Sequence, residues 1–179
     1  QPTPPIGREL NERECLAVLD ALALSSADLD PRCPLQIVGH GSTRLMIGVR
    51  GSAQLKQLKP DFNRLNTLSA QLGAAGHFVF ALQPPGSDCL TESRMFCPAL
   101  GIPEDPVSGN AHGLLGTYFA KHGLLPEAIE GRARFCGAQG HSLHRPGRVE
   151  VEIEFSDGAP TGVWIIGQAV LVFETTIEL

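Results

Sequence analysis

Residues 104–123 read EDPVSGNAHGLLGTYFAKHG. Two carboxylates precede a proline, a small-residue turn and then a run that looks helical. Acids near a helix N-terminus offset its partial positive charge, and turns collect Pro, Ser, Gly and Asn. A second reading is chemical: free N–H groups at a helix start form an anion site, and a carboxylic acid beside them can move protons. The run predicts a helix from about Gly109 to His122, closed by Gly123. Gly113 and Gly116 fall inside it. Interior glycine costs a helix about 1 kcal/mol relative to alanine, so two of them imply close backbone packing. A helix threaded through a narrow core needs that.

The chain around this stretch has 179 residues, enough for one sizeable apolar core. Hydrophobic residues make up 42% and charged ones 18%, the balance of an ordinary globular protein. A net charge of −5 argues against nucleic acid or an anionic membrane surface as the main partner. No apolar run approaches the roughly 20 residues that span a bilayer. The opening QPTPPIGREL has no apolar stretch like that of a signal peptide, so cytoplasm is the expected compartment. Cys15, Cys33, Cys89, Cys97 and Cys136 are odd in number and widely spaced, which predicts structural thiols rather than a disulfide framework. His141 and His144 form H-x-x-H, but no matching Cys or His pair lies nearby to complete a zinc site.

Working outward, QPTPP reads as extended, linker-like chain, and residues 1–10 are assigned to it. Asn11 and Glu14 have capping-box spacing, and Cys15, Leu16, Leu19 and Leu22 supply the stripe of a helix over 11–23. Residues 35–39 and 44–50 predict two short strands joined by HGST. Pro60 and Asp61 open a second helix with the stripe Phe62, Leu65, Leu68 and Leu72, capped by Gly73. Strands are expected at 76–83 and 93–99. Val149, Val151, Ile153 and Phe155 alternate with charged residues as a half-buried strand does. Ser156-Asp157-Gly158 then turns a hairpin, and VWIIGQAVLVFE returns as a long strand bulged at Gly167. The sum is an α+β fold: a curled, mostly antiparallel, barrel-like sheet around one glycine-bearing helix, with two helices packed outside.

RMFCPALGIPEDPVSGNAHGLLGTYFAKHGLL (94–125) resembles the C-terminal signature of the phenazine-biosynthesis PhzF-like family, with R-M-F, then E-D-P, then a T-G-S-like segment and a glycine-bearing helix. GHGSTRLMIGV (39–49), LKPDFNRLNTLSAQLG (58–73), GHSLHRPGRVEVEIE (140–154) and GQAVLVFETTIEL (167–179) extend the likeness nearly end to end. The resemblance implies one half of a diaminopimelate-epimerase-like fold, in which each of two similar halves curls a sheet around a central helix. It implies an active site between the halves, where two helix N-termini converge on a substrate carboxylate. Only the second half is matched, over residues 11–179. The first half's S-E-T-x-F glutamate, taken as general base, and its G-H-A/P motif do not occur. Gly39 and His40 are similar to the latter in isolation, but they belong to the second half's own first hairpin.

Carried over residue by residue, Asp105 matches the aspartate that assists proton movement. Ser108, Gly109 and Asn110 match the segment whose N–H groups grip the carboxylate, with serine where threonine is usual. On the residues alone, Asp105 is a cap or dipole carboxylate and 108–110 a good helix start; the resemblance adds the chemistry. Glu104 reads as a solvated or packing neighbour. His112, His122, His141 and His144 read as structural or surface residues, and Cys97 as a core thiol. The activity implied is an isomerase: a proton shift within a small ring-containing carboxylic acid, with no metal and no organic cofactor. An amino-acid epimerase or racemase and a non-catalytic binding protein are the alternatives. Expected partners are the small carboxylate and either a second copy, as a homodimer, or a separate N-terminal half.

Overall fold

A computed structural model describes residues 2–168 and 170–176. Nine strands of the described residues form a single sheet. They are β1 (Ile6–Glu9), β2 (Gln36–Val38), β3 (Arg44–Val49), β4 (His77–Leu82), β5 (Thr91–Cys97), β6 (Ile102–Asp105), β7 (Arg132–Gln139), β8 (Gly147–Ser156) and β9 (Ala159–Ile166). The spatial order is β1-β2-β3-β4-β5-β7-β8-β9, with β6 paired to β5 off that path. Only β3/β4 and β5/β7 run parallel; the other pairs are antiparallel. A bridge between Pro2 and Gly162 and a hydrogen bond from Thr3 Oγ1 to the Pro160 carbonyl bring the two ends of the sheet together. The curled, barrel-like sheet follows.

Among the described residues there are four α-helices: α1 (Glu12–Ala21), α2 (Ser52–Gln57), α3 (Phe62–Leu72) and α4 (Gly109–His122). The barrel encloses α4, and every residue from 111 to 119 is buried. Side chains from β2 through β9 close on Leu114, Leu115, Tyr118 and Phe119, among them Val38, Met46, Phe78, Phe80, Phe135, Val151 and Val163. The two interior glycines make the fit. A Cβ at Gly116 would stand 2.7 Å from Ile153 Cδ1, and one at Gly113 would stand 3.2 Å from Ile165 Cδ1. The helix can lie this close to β8 and β9 only without those side chains.

A second core lies on the outer face, where α1, α2 and α3 cover Leu45, Ile47, Val79 and Phe96. The Asn11–Glu14 capping box opens α1, and Asp61 and Gly73 cap α3, Gly73 at φ 69°. Leu16 is 54% exposed, whereas Cys15, Val18 and Leu22 pack inward. Those three follow the i, i+3, i+7 line of one helix face, and Leu16 falls beside it. Asp157 and Gly158 both have positive φ, as a two-residue hairpin turn requires.

Three expectations are corrected. Residues 6–9 of the supposed linker form β1 against β2, since an edge strand needs a partner on one side only. Cys89 and Cys136 form a disulfide, leaving Cys15, Cys33 and Cys97 free. The β5/β7 ladder explains that pairing: it brings Leu90 N–H onto the Cys136 carbonyl, across 47 residues of sequence from Cys89. The closing strand is shorter than expected, since β9 stops at Ile166 opposite Glu150 of β8. Gly167, Gln168 and residues 170–176 lie outside any strand, and Val170 to Phe173 are 76–86% exposed. Ala169 and residues 177–179 of the GQAVLVFETTIEL match lie outside the described residues. No helix of the described chain is long and apolar enough to cross a membrane.

Candidate functional site

Strand alternation separates the two acids. On β6, Asp105 lies opposite Met95 of β5, whose side chain packs on the inner, α4-facing side. Glu104 therefore points outward. There Arg94 grips it with two parallel bonds, Nε to Oε1 at 2.9 Å and Nη2 to Oε2 at 2.8 Å. Arg94 also donates to the Leu55 carbonyl and covers the Phe96 ring. Glu104 is a packing partner. Asp105 is half-buried, and its Oδ1 accepts only from Val107 N–H at 3.2 Å among the described residues.

The turn from Asp105 to Ser108 is fastened from below. Gln139, 1% exposed at the end of β7, accepts from Ser108 N–H through Oε1 and donates through Nε2 to the Asp105 carbonyl. One amide thus spans both ends of the turn. Gly147 and Gly140 let it settle: a Cβ on Gly147 would stand 2.3 Å from Val107 Cγ2, and one on Gly140 would stand 2.7 Å from the Pro106 carbonyl. Ser108 is the N-cap of α4, its hydroxyl accepting from Ala111 N–H at 3.3 Å. The N–H groups of Gly109 and Asn110 have no acceptor among the described residues. They are the free donors that an anion at a helix start engages.

These groups open onto a cleft of about 610 Å³, lined by His40, Ser42, Gly109, Asn110, Leu114 and Ile165 and walled on one side by residues 2–5. Asn110 Nδ2 donates to Ser42 Oγ at 3.0 Å, tying the 39–43 turn to the first turn of α4. His40, set aside on sequence as part of the second half's own hairpin, and Ser42, given no role there, both line this cleft. The Asn110–Ser42 bond, 68 residues apart in sequence, is what places them there. A larger depression of about 730 Å³ lies near Gly123, at the other end of α4. Its arginines are engaged, Arg32 with Asp30 and Arg50 with the Ala27 carbonyl.

His112 does not face the cleft. It is fully buried, and its Nδ1 carries the proton, since it sits 2.7 Å from the Ser108 carbonyl, which can only accept. Burial depresses its pKa to about 4. Gly137 leaves space for the ring: a Cβ there would stand 2.3 Å from His112 Cδ2. Cys97 is buried one strand from Asp105, and burial, then the Asp105 charge, push its thiol pKa up. His141 stands 3.7 Å from Glu92, and among the described residues no group of three or more His, Cys, Asp or Glu could hold a metal ion.

Residues 1–175 match the phenazine biosynthesis-like protein family. The chain belongs to this family. Among curated PhzF-like relatives, an uncharacterized isomerase of Escherichia coli K12 is 37% identical over 100% of this chain and 60% of its own length. A trans-2,3-dihydro-3-hydroxyanthranilate isomerase of Pseudomonas chlororaphis is 29% identical over 100% of this chain and 58% of its own. A PhzF-family crystal structure from Bacillus anthracis superposes with a TM-score of 0.74 at 20% identity, over 94% of this chain and 59% of the other. That likeness is one of fold. This chain thus spans about 60% of the length of the PhzF-like relatives it matches.

Proposed function

We propose that this chain supplies the acid-bearing, carboxylate-binding side of a PhzF-like isomerase. The observation that supports this reading is the register of β6, which puts Asp105 on the α4-facing side of the sheet, four and five residues before the free Gly109 and Asn110 N–H groups. The N–H pair and the partial positive charge of α4 hold a small carboxylate, and fixing it converts a proton transfer into a step between oriented groups. Asp105 is the general acid/base. Ser108 orients the helix end by capping it. Gln139 holds the turn, so the carboxylate of Asp105 and the N–H groups keep one geometry. The relative from Pseudomonas chlororaphis carries the name of an isomerase acting on a ring-containing carboxylic acid. That substrate class fits a cleft with apolar walls at Leu114 and Ile165 and polar groups at one end.

A separate N-terminal half, or a second copy, completes the site by covering the cleft, whose rim carries exposed Val107 and Ile165. The test follows deuterium entering trans-2,3-dihydro-3-hydroxyanthranilate from solvent. Slow or no exchange is expected from the chain alone, with recovery on mixing with an N-terminal half made from a relative. Asp105→Asn should then lower turnover by ~10²-fold or more while leaving the fold intact. Near-normal turnover would assign Asp105 to capping. A chain that binds the acid but never exchanges it, alone or mixed, would be the non-catalytic binding protein instead.

A further inference from the structure

Arg44 opens β3 and is 6% exposed. Asp30 and Glu152, the other charged residues this deeply buried, are each held by guanidinium groups, Asp30 by Arg32 and Glu152 by Arg132 and Arg134. Arg44 has no such partner. Its Nη1 donates to the Thr43 carbonyl at 2.8 Å, and no carboxylate oxygen of the described residues comes within 4.0 Å. Its Nε is buried without an acceptor, and no described residue takes a hydrogen bond from Nη2. The Nε–Nη2 edge is the face of a guanidinium that receives a carboxylate with two parallel bonds, and here it is vacant of protein groups. A buried charge left so is expensive unless something else completes it.

The placement says what completes it. Arg44 and Met46 share a strand face, and Met46 packs in the core around α4. The side chain crosses Gly76, where a Cβ would stand 3.2 Å from Arg44 Cδ and 2.4 Å from Met95 Cε. Met95 is the residue opposite Asp105. Two residues before Arg44, Ser42 is bonded to Asn110 in the first turn of α4. Arg44 thus lies on the inner face near Asp105 and Cys97, two residues beyond the Ser42 that reaches the first turn of α4. Burial lowers its pKa, and the nearby carboxylate of Asp105 opposes that. An anionic ligand bound beside an ionised Asp105 would face a like charge at close range, and a fixed cation between them removes that conflict.

We propose that Arg44 is the charged anchor of the cleft, its Nε–Nη2 edge receiving a carboxylate of the ligand that the α4 N-terminus and Asp105 engage. This rests on the carboxylate-binding reading of the same cleft and adds its specificity: anionic acids bind, and neutral isosteres of the same shape do not. The probes are anthranilate and its neutral counterpart 2-aminobenzamide, titrated into the chain and followed by ¹⁵N NMR at the Arg44 Nε–H and by calorimetry. Wild type should prefer the acid, with the Nε–H resonance moving on addition of acid and not of amide. Arg44→Met should weaken anthranilate by roughly 10-fold or more, the scale of a charge-assisted hydrogen bond, with the amide unchanged. Arg44→Lys, which keeps the charge without the fork, should fall between. Equal binding of acid and amide by wild type, or an Arg44→Met chain that binds anthranilate as wild type does, overturns the proposal. If both variants fail to fold, the wild-type Nε–H decides it: a resonance that anthranilate leaves unmoved up to its solubility limit overturns the assignment. Because no turnover is read, failure here is separable from failure of the isomerase reading, which would show as undiminished exchange by Asp105→Asn.

Discussion

The two faces of the sheet treat polar groups differently. Outside, under α1 to α3, the carboxylate of Glu104 is fully taken up by Arg94, which has the Leu55 carbonyl and the Phe96 ring as further neighbours. Inside, around α4, Arg44 Nε and His112 Nε2 are buried with no partner, and so is Thr91 Oγ1. Glu104 and Asp105 are adjacent in sequence and fall on opposite sides of this division. A folded chain ordinarily satisfies its buried polar atoms. The outer face has its own exception in the two nitrogens of His77, but that ring stays neutral at ordinary pH, whereas the inner face leaves a guanidinium, which keeps its charge, without a partner on its Nε.

The comparison can be broken at several points. Glu104→Gln strands a guanidinium that is buried on the outer face, and stability should fall by about 3–5 kcal/mol in urea unfolding. Asp105→Asn, one residue on, should change stability by under about 1 kcal/mol, and equal losses at the two sites would erase the distinction. Acid is the next lever. His77, on the outer face, and His112, on the inner, are both depressed by burial to about 4 from an ordinary 6.5. Between those values the unfolded chain binds more protons, so stability should decline as pH drops from 6.5 toward 4, by about 2–3 kcal/mol for each ring. Replacing either with a residue that does not titrate should flatten part of that slope, whichever face it occupies. Packing around α4 supplies the last contrast. Gly116→Ala should cost about 1–3 kcal/mol by forcing Ile153 and Val151 aside. Gly109→Ala, where the nearest atom is Ile165 Cγ2 at 3.4 Å, should change the melting temperature little.

Much of this architecture is legible where local chemistry and fold agree. The capping box at Asn11 and Glu14, the glycine stop at Gly123 and the alternation through Val149 to Phe155 each appear in the structure as read. Gly113 and Gly116 by themselves imply a helix in a tight sheath, and they meet side chains of β9 and β8, respectively. What stayed hidden depends on partners distant in sequence. β1 is four residues beside a proline run and is a strand only because β2 lies next to it. The Cys89–Cys136 bond needs the β5/β7 register. Gln139 and Arg44 look like ordinary polar residues, and only the folded sheet brings one under the Asp105 turn and the other to its side. The acids themselves are visible in the sequence, but which of them lies on the α4 side of the sheet is decided by a single step in the pairing of β6.

The enclosure of α4 also dictates an order of events as the chain folds. The strands that fill its glycine notches, β8 and β9, come after it in sequence, while Val38 and Met46 on its other flank come long before. During synthesis the helix therefore emerges with one side able to dock and the other bare, and it stays so until the C-terminal hairpin arrives. Contacts of such sequence separation close slowly, so the last hairpin, rather than the helix, should set the pace of folding. A chain halted before β8 would present the apolar flank of α4 to whatever is nearby, and chaperone binding would be heaviest there.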